Sequence, residues 1–152
     1  MNETKPAQSI ANVDLLDDLL GYHLRRLSVK VMADLTEALE PQQLTPADAS
    51  ILFVIGANAG ITQSEVGKAL GIFRANMAPL VGRLVRRGFI ERRTIDGRSQ
   101  ALKLTATGVA ACRQAKAAVR THEDRLFGSL PAVARRKLIK EIRALWQHNE
   151  EP

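Results

Sequence analysis

The feature that most restricts the fold of this chain is a change in the period of its apolar residues. Up to Gly88 they recur every three or four positions, from Phe89 to Leu104 the period falls to two, and beyond Thr105 the helical spacing returns. The period-two stretch reads Phe89-Ile90-Glu91-Arg92-Arg93-Thr94-Ile95, then Asp96-Gly97, then Arg98-Ser99-Gln100-Ala101-Leu102-Lys103-Leu104. An Asp-Gly pair between two such runs signals a tight hairpin. The fold class that follows is mainly α with one two-stranded hairpin, an α+β chain.

The helical segments have recognisable boundaries. Leu16, Leu20, Leu24, Leu27, Val31, Leu35 and Leu39 fall at spacings of three and four, so residues 14–39 read as one long helix. Leu15, Leu19 and Tyr22 widen its apolar face beyond what one neighbour would cover, as at a subunit interface. Glu40-Pro41-Gln42-Gln43 breaks the pattern, and Thr45-Pro46 restarts it with a capping hydroxyl and a proline at the first helical position. Thr62-Gln63-Ser64-Glu65 is a capping box in which Thr62 and Glu65 satisfy each other's backbone donors. The short helix it opens stops at Gly71, and another runs over 74–87, with Met77, Leu80, Val81 and Leu84 on one side, until Gly88 ends it. After the hairpin, Thr105 caps a long helix carrying Val109, Cys112, Val119 and Leu126, and Ser129-Leu130-Pro131 separates it from a last helix with Leu138, Ile142, Leu145 and Trp146. There is no internal repeat and no low-complexity segment.

Composition narrows the function classes. The chain has 152 residues, 45% hydrophobic and 25% charged, which is the balance of a soluble globule. Its longest uncharged apolar stretch, Ile51 to Ala57, is far shorter than the roughly 20 residues that cross a bilayer, so no membrane partner is expected. The start, MNETKPAQSIAN, has no apolar core behind a basic end, and a single thiol suits a reducing compartment, so a cytoplasmic location is expected. Cys112 has no partner for an intramolecular disulfide and is expected to be a small buried hydrophobe. His23, His122 and His148 are scattered without ligand spacing, so no metal is expected, and no cofactor either. No phosphate-loop, zinc-protease, nucleophile-elbow or dinucleotide motif is present, so the expectation is a protein that is not an enzyme.

Charge is unevenly spread. The whole chain carries a formal +6, yet residues 1–50 are net −4, and residues 74–103 alone hold +6, from Arg74, Arg83, Arg86, Arg87, Arg92, Arg93, Arg98 and Lys103 against Glu91 and Asp96. Two short helices joined by a turn and followed by this basic hairpin form a winged helix-turn-helix. A helix fits the major groove of DNA, and an arginine at a hairpin tip can enter the narrow minor groove. Double-stranded DNA is therefore the expected partner.

The segment from Leu44 to Gly108 resembles the MarR family of bacterial transcriptional regulators. The matching pieces occur in order: LT before the second helix, ITQSEVGKALGI for helix and turn, RLVRRGFIERR into the first strand, DGRS at the wing tip and LKLTATG entering the next helix. The resemblance implies a homodimer that binds a pseudo-palindromic operator as a repressor, its half-sites about one helical turn apart. It also implies a division of the chain into a tail (1–12), an N-terminal dimerisation helix (13–43), the winged domain (44–105) and C-terminal dimerisation helices (106–150). By the same resemblance Arg74, Ala75, Asn76, Ala78, Pro79 and Arg83 face bases. Arg98 is the wing arginine of the minor groove and Asp96 steadies it, while Thr62, Gln63 and Ser64 meet phosphate. Family members often release DNA when a small aromatic or anionic effector binds, and Tyr22, His23 and Arg26 are the residues expected to help line such a pocket.

Two positions depart from the family pattern. Phe73 stands where a small capping residue is usual, and Pro79 falls inside the expected recognition helix, where proline costs about 3 kcal/mol or more. Asn76 acting as a late N-cap would place Pro79 in a first turn that needs no donor. Two other readings keep the fold and change the function: a winged module for protein interaction, and a nonspecific architectural DNA binder.

Overall fold

The computed structural model describes residues 14–94 and 100–148. The order is α1 (Asp14–Asp17), α2 (Leu20–Leu39), a 3-10 turn (Glu40–Gln42), α3 (Pro46–Ala57), α4 (Gln63–Leu70), α5 (Arg74–Arg86), β1 (Ile90–Thr94), β2 (Gln100–Leu104), α6 (Ala106–Phe127) and α7 (Ala132–His148). This is a winged helix-turn-helix body between long terminal helices.

Helix α3 organises the body. It is apolar on nearly every side, so it is wrapped by α2, α4, α5, α6 and β2, and Ala49, Ile51, Leu52 and Ile55 are all buried. Val66 from α4, Met77, Val81 and Leu84 from α5, Ile90 and Leu102 from the hairpin, and Ala111, Cys112 and Ala115 from α6 complete one cluster. Each large side chain buried there contributes roughly 1.5–3 kcal/mol. Cys112 lies within this cluster, its thiol 3.7 Å from the Leu52 carbonyl.

β1 and β2 pair antiparallel in the register Ile90 to Leu104, Arg92 to Leu102 and Thr94 to Gln100. The chain just before α4 adds a third, very short edge, with Thr62 bridging Ala101 and the Leu102 amide donating to the Ile61 carbonyl at 2.8 Å. Two residues are too few to show a period, so this edge leaves no trace in the sequence pattern. The sheet is fastened to α6 where Thr105 caps the helix, its hydroxyl bonded to the Gly88 carbonyl and its amide to that of Phe89. Gly108 is required at this junction, because a Cβ there would sit 1.9 Å from the Phe89 carbonyl oxygen.

The single helix expected over 14–39 is corrected to two. Leu19 adopts an extended conformation (φ −94°, ψ 106°) between α1 and α2. Two local features favour the break. The short carboxylates of Asp17 and Asp18 compete for backbone donors, and Gly21 lowers helix preference by up to about 1 kcal/mol. The His23 ring closes the gap with a 2.7 Å hydrogen bond to the Asp17 carbonyl.

The terminal helices bury little of themselves. Along α2 only Leu39, at its end, is buried, whereas Leu20, Leu24 and Leu27 are exposed. No described residue of α7 is buried, and Val133, Leu138, Ile139 and Ile142 lie open. The ion pair of Arg135 with Glu123, at 3.0 Å, ties α7 to α6. No helix among the described residues is long and apolar enough to cross a membrane.

Candidate nucleic-acid interface

The helix-turn-helix is built by local chemistry. Thr62 Oγ1 accepts from the Glu65 amide at 3.3 Å, and the Glu65 carboxylate accepts from the Thr62 amide and hydroxyl, both at 2.8 Å. These bonds, the backbone one first, hold the Glu65 carboxyl below its ordinary value. Gly71 takes the left-handed conformation at the end of α4 (φ 62°), and the Ile72 amide returns to the Gly67 carbonyl at 2.9 Å. The chain then enters α5 through Phe73, which occupies the N-cap without a side-chain bond and is 81% exposed.

Helix α5 begins at Arg74 and continues without restart through Pro79 to Arg86. The expected late cap at Asn76 is thereby overturned. The amides of Asn76 and Met77 already bond to the Phe73 carbonyl, at 2.9 and 3.2 Å, so the helix is under way two residues before Asn76. Pro79 lies on the exposed side of the helix, where water can reach the Ala75 carbonyl that its ring leaves without a helical donor. The Asn76 amide is consequently not engaged in capping.

The residues expected at DNA divide into distinct groups. Arg74, Ala75, Asn76, Ala78 and Pro79 form one exposed face at the leading end of α5, backed by buried Met77 and Val81. Ser64 is exposed beside them, while the Thr62 hydroxyl is engaged by Glu65, and Gln63 Oε1 accepts from Arg92 at 3.1 Å. Arg83 is turned away from this face: its Nη2 donates to Asp48 Oδ1 at 2.6 Å. Arg87 is likewise turned inward, onto the carbonyls of Gln42 and Gln43. Asp96 and Arg98 lie outside the described residues.

Asp48 is the residue that reading the sequence missed. Its signal was present, an acidic side chain three positions after Thr45, and the structure shows a full capping box between the two. What sequence spacing cannot reveal is that the same carboxylate pairs with an arginine 35 positions away.

Tyr22, His23 and Arg26 lie near the start of α2. The rings of Tyr22 and His23 meet edge to face at 5.4 Å, and Arg26 is exposed. Two hollows are lined elsewhere. One, of about 370 Å³, lies between α3, α6 and α7 against Phe53, Lys116, Arg120 and Arg135, and the other, of about 340 Å³, lies between the end of α2 and α6 against Glu37, His122 and Arg125. Among the described residues no cluster of three His, Cys, Asp or Glu side chains could hold a metal ion.

Known proteins share both the sequence and this geometry. The model of the MarR family matches residues 42–99. The multiple antibiotic resistance protein MarR of Escherichia coli (strain K12) is 32% identical over 105 residues, covering 66% of this chain and 73% of that protein. The transcriptional repressor CouR bound to a 23-mer DNA duplex is 38% identical and superposes with a TM-score of 0.85 over 90% of this chain and 99% of that one. CouR bound to p-coumaroyl-CoA is 35% identical, with a TM-score of 0.81 over 94% of this chain and 100% of that one. The winged body with its exposed α5 face and these likenesses in sequence and structure agree, and the chain belongs to the MarR family of DNA-binding transcriptional regulators.

Proposed function

We propose that this protein is a homodimeric repressor that binds a pseudo-palindromic operator. In this reading the exposed end of α5 enters the major groove, Arg98 of the wing enters the minor groove, and a small organic effector releases the DNA. The observation that carries it is the exposed Arg74–Pro79 face on a body that superposes on DNA-bound CouR. Bases are read by side chains at the N-terminal end of a recognition helix. Arg74 and Asn76 have the donors and acceptors for that task, and Ala75, Ala78 and Pro79 let the backbone approach closely. Ser64 and the amide of Gln63 serve phosphate, while the Thr62 role is confined to capping the start of α4.

The dimer is supported by the open apolar faces of α2 and α7, which a second copy would cover. The effector reading is supported by the ligand-bound form of CouR and by the hollow beside Phe53, where Arg135 is held by Glu123 and Asp124 and Lys116 and Arg120 are the cations that suit an anionic group. Tyr22, His23 and Arg26 belong to the start of α2, where the second copy would pack, and their part in an effector site depends on that partner.

The test is selection of bound sequences from random duplex DNA, then titration of the selected and a scrambled duplex across a salt series. The expected result is a pseudo-palindrome bound about a thousandfold or more above the control. A dimer neutralising about ten phosphates gives a log-log salt slope near −9 on either duplex. Equal binding of both duplexes would replace the repressor reading with an architectural one, and no binding to either near physiological salt would favour a protein-interaction module.

A further inference from the structure

Two arginines on the far end of α5 point away from the DNA-facing side and grip one corner of the molecule. Asp48 is 1% exposed; its Oδ2 accepts from the Thr45 amide at 3.0 Å, and its Oδ1 accepts from Arg83 Nη2 at 2.6 Å. The Arg83 side chain is 41% exposed, but its Nε is buried without a partner, so the guanidinium is drawn inward. One turn further along, Arg87 Nη1 donates to the Gln43 carbonyl at 2.6 Å and Nη2 to the Gln42 carbonyl at 3.3 Å. The Arg87 guanidinium also lies 4.6 Å from the Phe89 ring centroid. The Gln42 and Gln43 carbonyls belong to the bend between α2 and α3, where Gln43 holds a left-handed conformation (φ 53°), and Asp48 lies in the first turn of α3 just beyond it.

We propose that Arg83 and Arg87 are positioning residues that lock the recognition helix to the α2–α3 corner, and so fix the spacing of the two half-sites that a dimer reads. The inference rests on the repressor reading for its consequence at DNA, and on geometry alone for the clamp. Helix α2 carries the open apolar face, so the corner is where the dimer layer meets the winged body. A helix pinned there in each protomer holds two recognition helices at one separation. Base contacts depend on that separation, whereas phosphate attraction along a regular duplex depends on it far less. A guanidinium already paired with a buried carboxylate brings no further neutralisation to DNA, so removing it leaves counterion release unchanged.

The clamp is tested with Asp48→Asn, Arg83→Met, their double variant and Arg87→Met in the full chain. Amide hydrogen exchange of α5 is measured first, without DNA. Each single variant is expected to raise exchange in α5 relative to α3 and α6, and the Asp48/Arg83 double is expected to match the worse of its two singles. Exchange in α5 unchanged in Arg87→Met, which leaves the Thr45–Asp48 capping box intact, would overturn the clamp whatever the DNA result. On the selected operator, each single variant is expected to weaken binding about tenfold, within the effect of one mismatched base pair. In Arg83→Met, binding to scrambled duplex and its salt slope should stay as in the wild type. The penalty for moving the half-sites apart by one base pair should shrink. A salt slope shallower by about two units per dimer in Arg83→Met would make Arg83 a phosphate contact. Tighter operator binding by Asp48→Asn would mean that the freed arginine reads bases, and either result overturns the positioning role. Raised exchange in the variants together with a wild type that shows no operator preference would sink the repressor reading and leave the clamp standing.

Discussion

The winged body and the terminal helices carry similar apolar residues, and they use them in opposite ways. In the body, leucines and isoleucines from α3, α5, β1 and β2 meet the small side chains Ala111, Cys112 and Ala115 of α6 in one closed cluster within a single protomer. In α2 and α7 the same residue types stand largely open, apart from Leu35 and Leu39 where α2 runs into the body. The difference teaches that this chain has one self-sufficient unit and, in the dimer proposed above, one half of a unit. Helical periodicity alone does not distinguish the two, because an apolar stripe looks the same whether its partner is in the same chain or in a second copy.

The largest expected effect comes from breaking the half-unit. Leu27→Glu or Ile142→Glu would place a carboxylate on each open face. Either is expected to give monomers at concentrations where the wild type is dimeric. Operator affinity should fall roughly a hundredfold or more as bivalent binding is lost. Sedimentation velocity and operator titration check both points. Trp146, the single tryptophan, lies 50% exposed on α7, so its emission should shift to the red in these variants and in wild type on dilution. A variant that stays dimeric with unchanged emission would move the partner surface elsewhere.

Core truncation sharpens the contrast. Leu52→Ala removes a fully buried side chain and is expected to destabilise the protein by about 2–5 kcal/mol, independently of protein concentration. Leu27→Ala is expected to act only through the dimer, so its midpoint of unfolding should move with concentration and converge on that of wild type when both are dilute. Denaturant melts at two concentrations a hundredfold apart distinguish the two. Equal, concentration-independent losses would erase the division between body and terminal helices.

Much of the body was legible because its signals are local. Thr62 to Glu65, Gly71, Gly88, Thr105 and the switch to period two at Phe89 each act within a few residues, and the structure uses all of them. The apolar side of α5 followed from its helical periodicity, whereas the residues of its exposed leading face came from the resemblance to the family. Three features were not legible. The break at Leu19 depends on a weak balance of propensities and on a histidine six residues from the carbonyl it binds. The persistence of α5 through Pro79 depends on the packing of Met77, Val81 and Leu84, which outweighs the missing hydrogen bond. The inward turn of Arg83 depends on Asp48, and nothing in the charge of an arginine distinguishes a phosphate partner from a buried carboxylate.

Phe73 gives a smaller effect, and of the opposite sign. It leaves the amides at the start of α5 without a side-chain acceptor, so Phe73→Ser is expected to stabilise the winged body by about 1 kcal/mol through a new N-cap bond. Its exposure means that little packing is lost in exchange. Thermal melts of the wild type and the variant at equal concentration check this. A variant no more stable than the wild type would show that the new hydroxyl forms no cap bond.

The smallest effect belongs to Glu65, which is exposed and acts through the capping box alone. Its carboxyl lies below its ordinary value of 4.5 because the folded chain donates the Thr62 amide and hydroxyl to the charged form. A depressed carboxyl contributes stability above its unfolded pKa and loses it as pH falls through the folded one. The wild type should therefore lose a small part of its stability on acidification, and Glu65→Gln, whose amide oxygen still accepts from Thr62, should lack that part. The difference between the two proteins is expected to be constant near neutrality and to shrink only below the ordinary carboxylate range. A difference that does not change with pH would mean that the charge of Glu65 plays no part in the cap. The same substitution removes a negative charge from the start of α4, beside Ser64, so tighter binding to scrambled duplex at low salt is the accompanying expectation. That gain belongs to the winged body alone and should persist in Leu27→Glu monomers, so the charge at the cap can be measured apart from the dimer layer.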